Sequence, residues 1–349
     1  MIAASPENLL AGVLMAALLL YALGAGADFG GGVLDLFARG PRGERERKVI
    51  AHALGPIWEA NHVWLVLVVV LLFVGFPLAF SALMVALHVP VSLMLVGIVL
   101  RGAAFTFRTY DAHDDAVQRR WSRVFAAGSV LAPVMLGVCV GAVVGGRLRV
   151  DIETGDVLWP RAGEGVSPYT GAWLTPFPFA VGLLTLALCA FLAAVYLVHE
   201  TPEPDLRAAF RRRARGALIA VTLLAWAALL LAREGAPRLA LALLRSPWAL
   251  GLQAATALTG VAAFVALAAR RDGWARALGI AMTALLVAGW GAAQYPLLIV
   301  PDVSLHMAAA PPQVLRLMLW TLAGGAVLLF PALFYLFAVF KGPHPAPKP

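Results

Sequence analysis

The run Trp58-Glu59-Ala60-Asn61-His62-Val63-Trp64 sets a carboxylate, an amide, an imidazole and two indoles at the mouth of an apolar stretch that continues to Val74. An ionisable side chain within lipid costs about 2.5–3.5 kcal/mol on insertion scales, so a cluster there needs a function or a partner. Three chemistries fit these residue types: proton handling, approach to a redox partner, and polar contact with another membrane subunit. On a helix, Glu59 and His62 lie three residues apart and Trp58 and His62 four apart, which puts them on neighbouring positions of one face. Asn61 and Trp64 are likewise three apart. An unpaired carboxylate at that depth suits a proton carrier, and a Glu59–His62 pair serves equally well as a satisfied structural contact. Trp58 and Trp64 also read as an aromatic belt at a membrane interface.

Other polar groups interrupt the neighbouring apolar runs. Gly24, Gly26, Gly30, Gly31 and Gly32 surround Asp28, and Asp35 follows two turns later on the same helical face. In lipid, small residues let neighbouring helices approach closely. Asp35 reads as interfacial; Asp28, further from the end, is a candidate for the proton route or for a polar core with Asn61. Arg101 near the end of the third apolar run either snorkels or pairs with Asp28 or Glu59, and the pair is the preferred reading. His88 precedes Pro90 by two residues and reads as a group that helps satisfy the turn distorted by the proline, not as a ligand. Cys139 and Cys189 stand singly in apolar runs, so neither a disulfide framework nor a metal site is expected. A second polar region comprises Trp290, Gln294 and Tyr295-Pro296, then Asp302, Ser304, His306, Pro311-Pro312 and Arg316. It reads as interfacial architecture or as a site for a quinone or lipid headgroup.

The elements that must position these residues are helices. Of 349 residues, 61% are hydrophobic and 13% charged. A soluble domain cannot hide so much apolar surface, so the expected fold class is an all-α, polytopic integral membrane protein. Nine spans are predicted, at about 8–37, 50–74, 77–106, 122–145, 174–198, 215–232, 247–269, 276–295 and 313–340, each near the ~20 residues a bilayer requires. Only Gly75-Phe76 separates the second from the third, which predicts a tight hairpin. Residues 1–7 carry no Lys or Arg, so the start reads as a retained helix and not as a cleaved signal peptide.

Most of the 27 basic residues fall in alternate connections, among them Arg39, Arg42, Arg45, Arg207, Arg211 and Arg270. By the positive-inside rule this places the N-terminus outside and the C-terminus in the cytoplasm. The +8 net charge is thus a topology signal, with anionic lipid and not nucleic acid as its neighbour. Residues 1–341 read as a single transmembrane domain and 342–349 as a disordered Pro-rich tail. The connection 146–173 is Gly-rich and acidic, without specific chemistry, and no nucleotide-binding or zinc-protease motif is present.

Together these motifs resemble subunit II of the cytochrome bd-type quinol oxidases, the cyanide-insensitive oxidases included. The resemblance is carried by Gly26-Ala27-Asp28-Phe29-Gly30-Gly31-Gly32, by Glu46-Arg47-Lys48, by Pro56 to Trp64, and by Leu100-Arg101 with Phe105, Phe107 and Arg108. Tyr295-Pro296, Pro301, Leu305, Pro331 and Tyr335 extend it to the end of the chain. Two positions depart from the family pattern: Glu59 stands where Asp is usual, and His62 where Gln or Glu is usual. The histidine implies proton delivery tuned near neutral pH, or a divergent branch.

The resemblance implies a heterodimer in the bacterial inner membrane. Its subunit I would carry haems b and d and oxidise quinol, and the complex would reduce oxygen to water with cytoplasmic protons, supporting proton motive force. This chain would bind no haem itself. Trp58 and Glu59 would line a proton route, joined by His62 and Asp28; Asp28, Asn61 and Arg101 would order the polar core; and oxygen access through this subunit is a further implied role. The competing readings are a secondary transporter using Asp28 and Glu59, which would favour two related halves, and a scaffold whose acids serve assembly.

Overall fold

The computed structural model describes residues 5–38, 40–54, 58–110, 115–158 and 169–341. Side chains at 41, 54, 58–60, 108–110, 115, 116, 119 and 337–341 also lie outside the description. Eight helices are long and apolar enough to cross a bilayer: α1 (Pro6–Leu36), α5 (His88–Tyr110), α6 (Asp115–Val144), α7 (Pro176–Glu200), α8 (Pro204–Gly235), α10 (Pro247–Ala268), α11 (Asp272–Gln294) and α13 (Pro312–Lys341). A ninth apolar unit is broken. It consists of α3 (Trp58–Val70), which ends in a π-helical turn over Leu71–Gly75, and α4 (Pro77–Ala86), with a bend of 117° between the two arms. Proline opens many of the elements, at Pro6, Pro77, Pro176, Pro204, Pro237 and Pro247 among others. Its fixed φ suits a helix start, and its missing amide hydrogen costs nothing there.

Two predicted spans are corrected. Residues 50–54 belong to a helix that starts earlier, α2 (Gly43–Leu54), whose first turns carry Glu44, Arg45, Glu46, Arg47 and Lys48; the apolar run continues in α3, and residues 55–57 lie outside the described ones. Residues 77–106 are divided at Leu87, just before Pro90, and His88 Nδ1 lies 2.9 Å from the Val85 carbonyl at that break. The tight turn expected at Gly75-Phe76 is present: the helix axis bends by 117° there. Beyond it the two arms part, α3 packing along α1 and α5 along α6. The other connections add a short amphipathic helix, α9 (Pro237–Arg245), and two antiparallel ribbons, β1 (Arg149–Val150) with β2 (Val157–Leu158) and β3 (Leu297–Ile299) with β4 (Val303–Ser304), followed by α12 (Leu305–Ala308).

The helices run alternately between two ends. The hairpin end holds the start of α1, the ribbons, α4, α9 and α12. It is tied by bonds from Val300 N to the Val143 carbonyl and from Ala310 N to the Gly75 carbonyl. The basic end holds α2 and the α7–α8 and α10–α11 turns. Arg45 there meets Glu203 at 2.8 Å and Asp205 at 3.1 Å, Arg213 meets Glu46 at 2.7 Å, and Arg211 binds Asp272 through two bonds of 3.0 and 2.7 Å. The exposed Arg45 pairs contribute little stability each, but with the largely covered Arg213–Glu46 pair they seat α2 against its neighbours, and Arg211–Asp272 ties α8 to α11.

At the centre, α1 packs on α3, α6, α7, α11 and α13. Its crossing with α7 is so close that a Cβ on Gly30 would lie 1.8 Å from the Cys189 carbonyl oxygen. Gly30→Ala is therefore expected to destabilise the detergent-solubilised protein by about 1–3 kcal/mol through overpacking. Gly12→Ala, where a new Cβ meets nothing within 4 Å, leaves the melting temperature unchanged. Equal melting temperatures for the two variants would show that the crossing has room to spare.

Candidate functional site

The glycine-rich half of α1 carries Asp28 into the middle of the bundle, where it is 1% exposed. Arg101 of α5, 2% exposed, reaches it there and forms an ion pair with its carboxylate. The same guanidinium nitrogen donates to the Asp28 carbonyl at 3.3 Å. The cation lies between two aromatic rings, 5.3 Å from the centroids of both Phe29 of α1 and Phe125 of α6. Such ring faces attract a cation most strongly where water is excluded. Asp28 Oδ2 and Arg101 Nε have no hydrogen-bond partner among the described residues.

Helix α3 brings His62 and Asn61 alongside. The His62 ring lies 6.3 Å from both the Tyr21 and Phe29 rings and interacts electrostatically with Asp28. Asn61 occupies space that only a glycine on α1 leaves open, since a Cβ on Gly24 would fall 2.5 Å from its Oδ1. Asp28, Asn61 and Trp64 also line a cleft of about 1110 Å³ between α1, α7, α11 and the distal part of α13. Toward the basic end its wall includes His199 and Glu200, the last residues of α7, and Arg276 of α11.

The structure thus gathers Asp28, Arg101, Asn61 and His62 into one cluster. The side chains of Trp58 and Glu59 lie outside the described residues; their backbone opens α3, with Glu59 three residues ahead of His62. Asp35 lies at the last turn of α1, at the basic end, where it is 4% exposed and 3.6 Å from Arg47 of α2. The residues that sequence reasoning missed are Phe29 and Phe125 around the guanidinium, and His199, Glu200 and Arg276 along the cleft. Phe29 adjoins Asp28 on α1 but as an ordinary apolar residue gave no sign of its role, and the others come from distant helices, for which local spacing carries no signal. Tyr21, seven residues before Asp28 on the same face, had such a signal. Among the described residues, no group of three or more His, Cys, Asp or Glu side chains could hold a metal ion.

Chemically, the cluster is a carboxylate balanced by one fixed cation, with an imidazole beside it and a largely apolar cleft that carries His199, Glu200 and Arg276 toward the basic end. It can hold charge, and move it, inside an apolar bundle. The profile of the family described as cytochrome bd terminal oxidase subunit II matches residues 6–340. The chain belongs to that family.

Among its relatives, cytochrome bd ubiquinol oxidase subunit 2 of Bacillus subtilis is 34% identical over 113 residues, 32% of this chain and 32% of the relative. Cytochrome bd-I ubiquinol oxidase subunit 2 of Escherichia coli is 28% identical over 196 residues, 55% of this chain and 48% of the relative. The matched segments thus span about a third and about a half of those two relatives. A putative cytochrome bd menaquinol oxidase subunit II of B. subtilis is 24% identical and aligns over 92% of this chain and 91% of its own. The fold resembles a chain of the bd oxidase of Geobacillus thermodenitrificans, with a TM-score of 0.75 over 96% of this chain and 98% of that one at 21% identity. Membership of this family leaves the transporter reading without support.

A double-mutant cycle in thermal unfolding tests the buried pair. Arg101→Met leaves the Asp28 carboxylate uncompensated and should cost about 3–5 kcal/mol. The double variant Asp28→Leu/Arg101→Met should cost clearly less than the sum of the single changes. Additive losses would show that the two charges do not act as a unit.

Proposed function

We propose that this chain is the second subunit of a quinol-oxidising, oxygen-reducing complex of the bacterial inner membrane. It packs against a haem-bearing subunit I and supports the consumption of cytoplasmic protons at the oxygen-reducing site. The observation that carries this reading is the buried Asp28–Arg101 pair beside a cleft that leads toward the basic end, in a chain of this family. With the positive-inside rule, the basic end faces the cytoplasm, the N-terminus is outside and the C-terminus inside. The described residues up to Lys341 act as one membrane domain, and 342–349, expected as a tail, lie outside the described residues.

In this reading protons enter by way of Glu200 and His199 and pass along the cleft to Asn61 and Asp28. Asp28, Glu59 and His62 hold them in turn, and Trp58 lines the route. Arg101 is a positioning residue: its fixed charge keeps the Asp28 carboxylate in place, and Asn61 orders the junction of α1 and α3. Haems b and d belong to subunit I. This chain's residues fit a haem poorly, because the His62 ring is held beside Tyr21 and Phe29, and His199, the one histidine lining the cleft, is exposed. The relatives are named for ubiquinol and for menaquinol, so the substrate proposed for the complex is a quinol without further choice.

Two measurements check the proposal. The chain purified from its native membrane should bring with it a haem-rich partner, visible in a reduced-minus-oxidised spectrum; a haem-free chain that purifies alone would sink the assignment. Glu59→Gln should slow oxygen uptake on the order of 10²-fold, the scale of a lost proton-transfer group, with haem content unchanged. Uptake at the normal rate in that variant would remove Glu59 from the route.

A further inference from the structure

A second cavity lies at the hairpin end, away from the Asp28 cluster. It measures about 200 Å³ and is walled by Val144 of α6, Arg238 and Leu239 of α9, Gln294 and Tyr295 at the end of α11, and Val300. A water molecule takes about 30 Å³, so the space suits several waters or a compact headgroup.

Three features of the wall specify which headgroup. Arg238 is exposed, a cation at the rim. Arg238 and Leu239 also belong to the first turn of α9, where the bond from Ala240 N to the Ala236 carbonyl is made but no side chain caps the helix. Uncapped first-turn amides and the positive end of the helix dipole favour an anion. Third, Gln294 is 8% exposed, and its Nε2 donates to the Leu298 carbonyl at 2.7 Å. That bond fixes the amide and leaves Oε1, an acceptor, without a hydrogen-bond partner among the described residues. A buried acceptor left unsatisfied is costly, so a donor is needed there.

An anion alone cannot satisfy Gln294, and a quinone ring offers carbonyl acceptors where the wall asks for a negative charge and a donor. A phosphodiester that carries a primary ammonium supplies both. Leu241 and Leu244, which follow Arg238 and Leu239 on α9, and Trp248 at the start of α10 are exposed apolar residues for acyl chains. We propose that the cavity between α9 and the end of α11 binds the headgroup of phosphatidylethanolamine, with its phosphate at Arg238 and the first turn of α9 and its ammonium donating to Gln294 Oε1.

The test uses the chain purified with its native partner, stripped of loosely held lipid and examined by native mass spectrometry. Phosphatidylethanolamine, phosphatidylcholine and phosphatidylglycerol are offered in turn. The wild type should retain one phosphatidylethanolamine. Gln294→Leu and Arg238→Ala should bind it about tenfold more weakly or worse, the scale of one hydrogen bond to a charged group. Phosphatidylcholine, which has no N–H donor, should not replace it. Equal retention of all three lipids, retention in the variants as in the wild type, or no retained lipid (a cavity that holds only water) would each overturn the proposal. If Gln294→Leu fails to assemble, Arg238→Ala decides alone, because its side chain is exposed and removes no core packing.

Discussion

The ion pair of Asp28 and Arg101 is the constraint to which the rest of the bundle conforms. Two charges that are 1% and 2% exposed exist in an apolar interior only if their geometry is held from all sides. Phe29 and Phe125 close on the guanidinium, His62 and Asn61 fill the space toward α3, and the small residues of α1 let those neighbours come near. Replacing such a pair with packed hydrocarbon is often no less stable, so stability alone does not account for it. Its value is in fixing how α1, α5 and α6 stand to one another, and in keeping a charged carboxylate inside the bundle.

That constraint explains the division of labour among the helices. Helix α1 is central and glycine-rich in the half where it meets α7, because a side chain at Gly30 would collide with the backbone at Cys189. Helix α13, by contrast, carries Leu317, Trp320, Leu328 and Phe334 at 68–77% exposure, as suits an element that faces lipid or another subunit. The two ends differ in the same way. Ion pairs fasten α2 at the basic end, while ribbons and backbone bonds tie the hairpin end together. The Asp28 cleft leads toward one end and the small cavity at Gln294 lies at the other, so the proposed proton and lipid chemistries are spatially separate.

Much of this was legible from residue types. Long apolar runs marked the spans, since lipid leaves few other options for a backbone. The sequence failed where local polarity and turns decided the path. Glu44 to Lys48 open α2 as a polar helix despite the apolar residues that follow, and beyond the sharp turn at Phe76 the arms part, α3 to α1 and α5 to α6. For the site, Asp28, Asn61, His62 and Arg101 stood out because polar groups in apolar runs are costly. Phe29, Phe125 and Arg276 did not, because aromatic residues and helix-end arginines are ordinary in such chains.

The sequence by itself determined the all-helical membrane class, the family motif between residues 24 and 108, and the uneven charge along the chain. These depend on composition and on spacing within single helices, which are local properties. Only the tertiary structure decided that Arg101 meets Asp28, that its cation sits between rings from two other helices, that Asp35 is covered by Arg47, and that Gln294 keeps an acceptor without a hydrogen-bond partner among the described residues. Each of those contacts joins residues whose separation along the chain says nothing about distance in space. They are set by which helix faces meet, and in an apolar solvent that choice depends on close packing and on the satisfaction of a few polar groups.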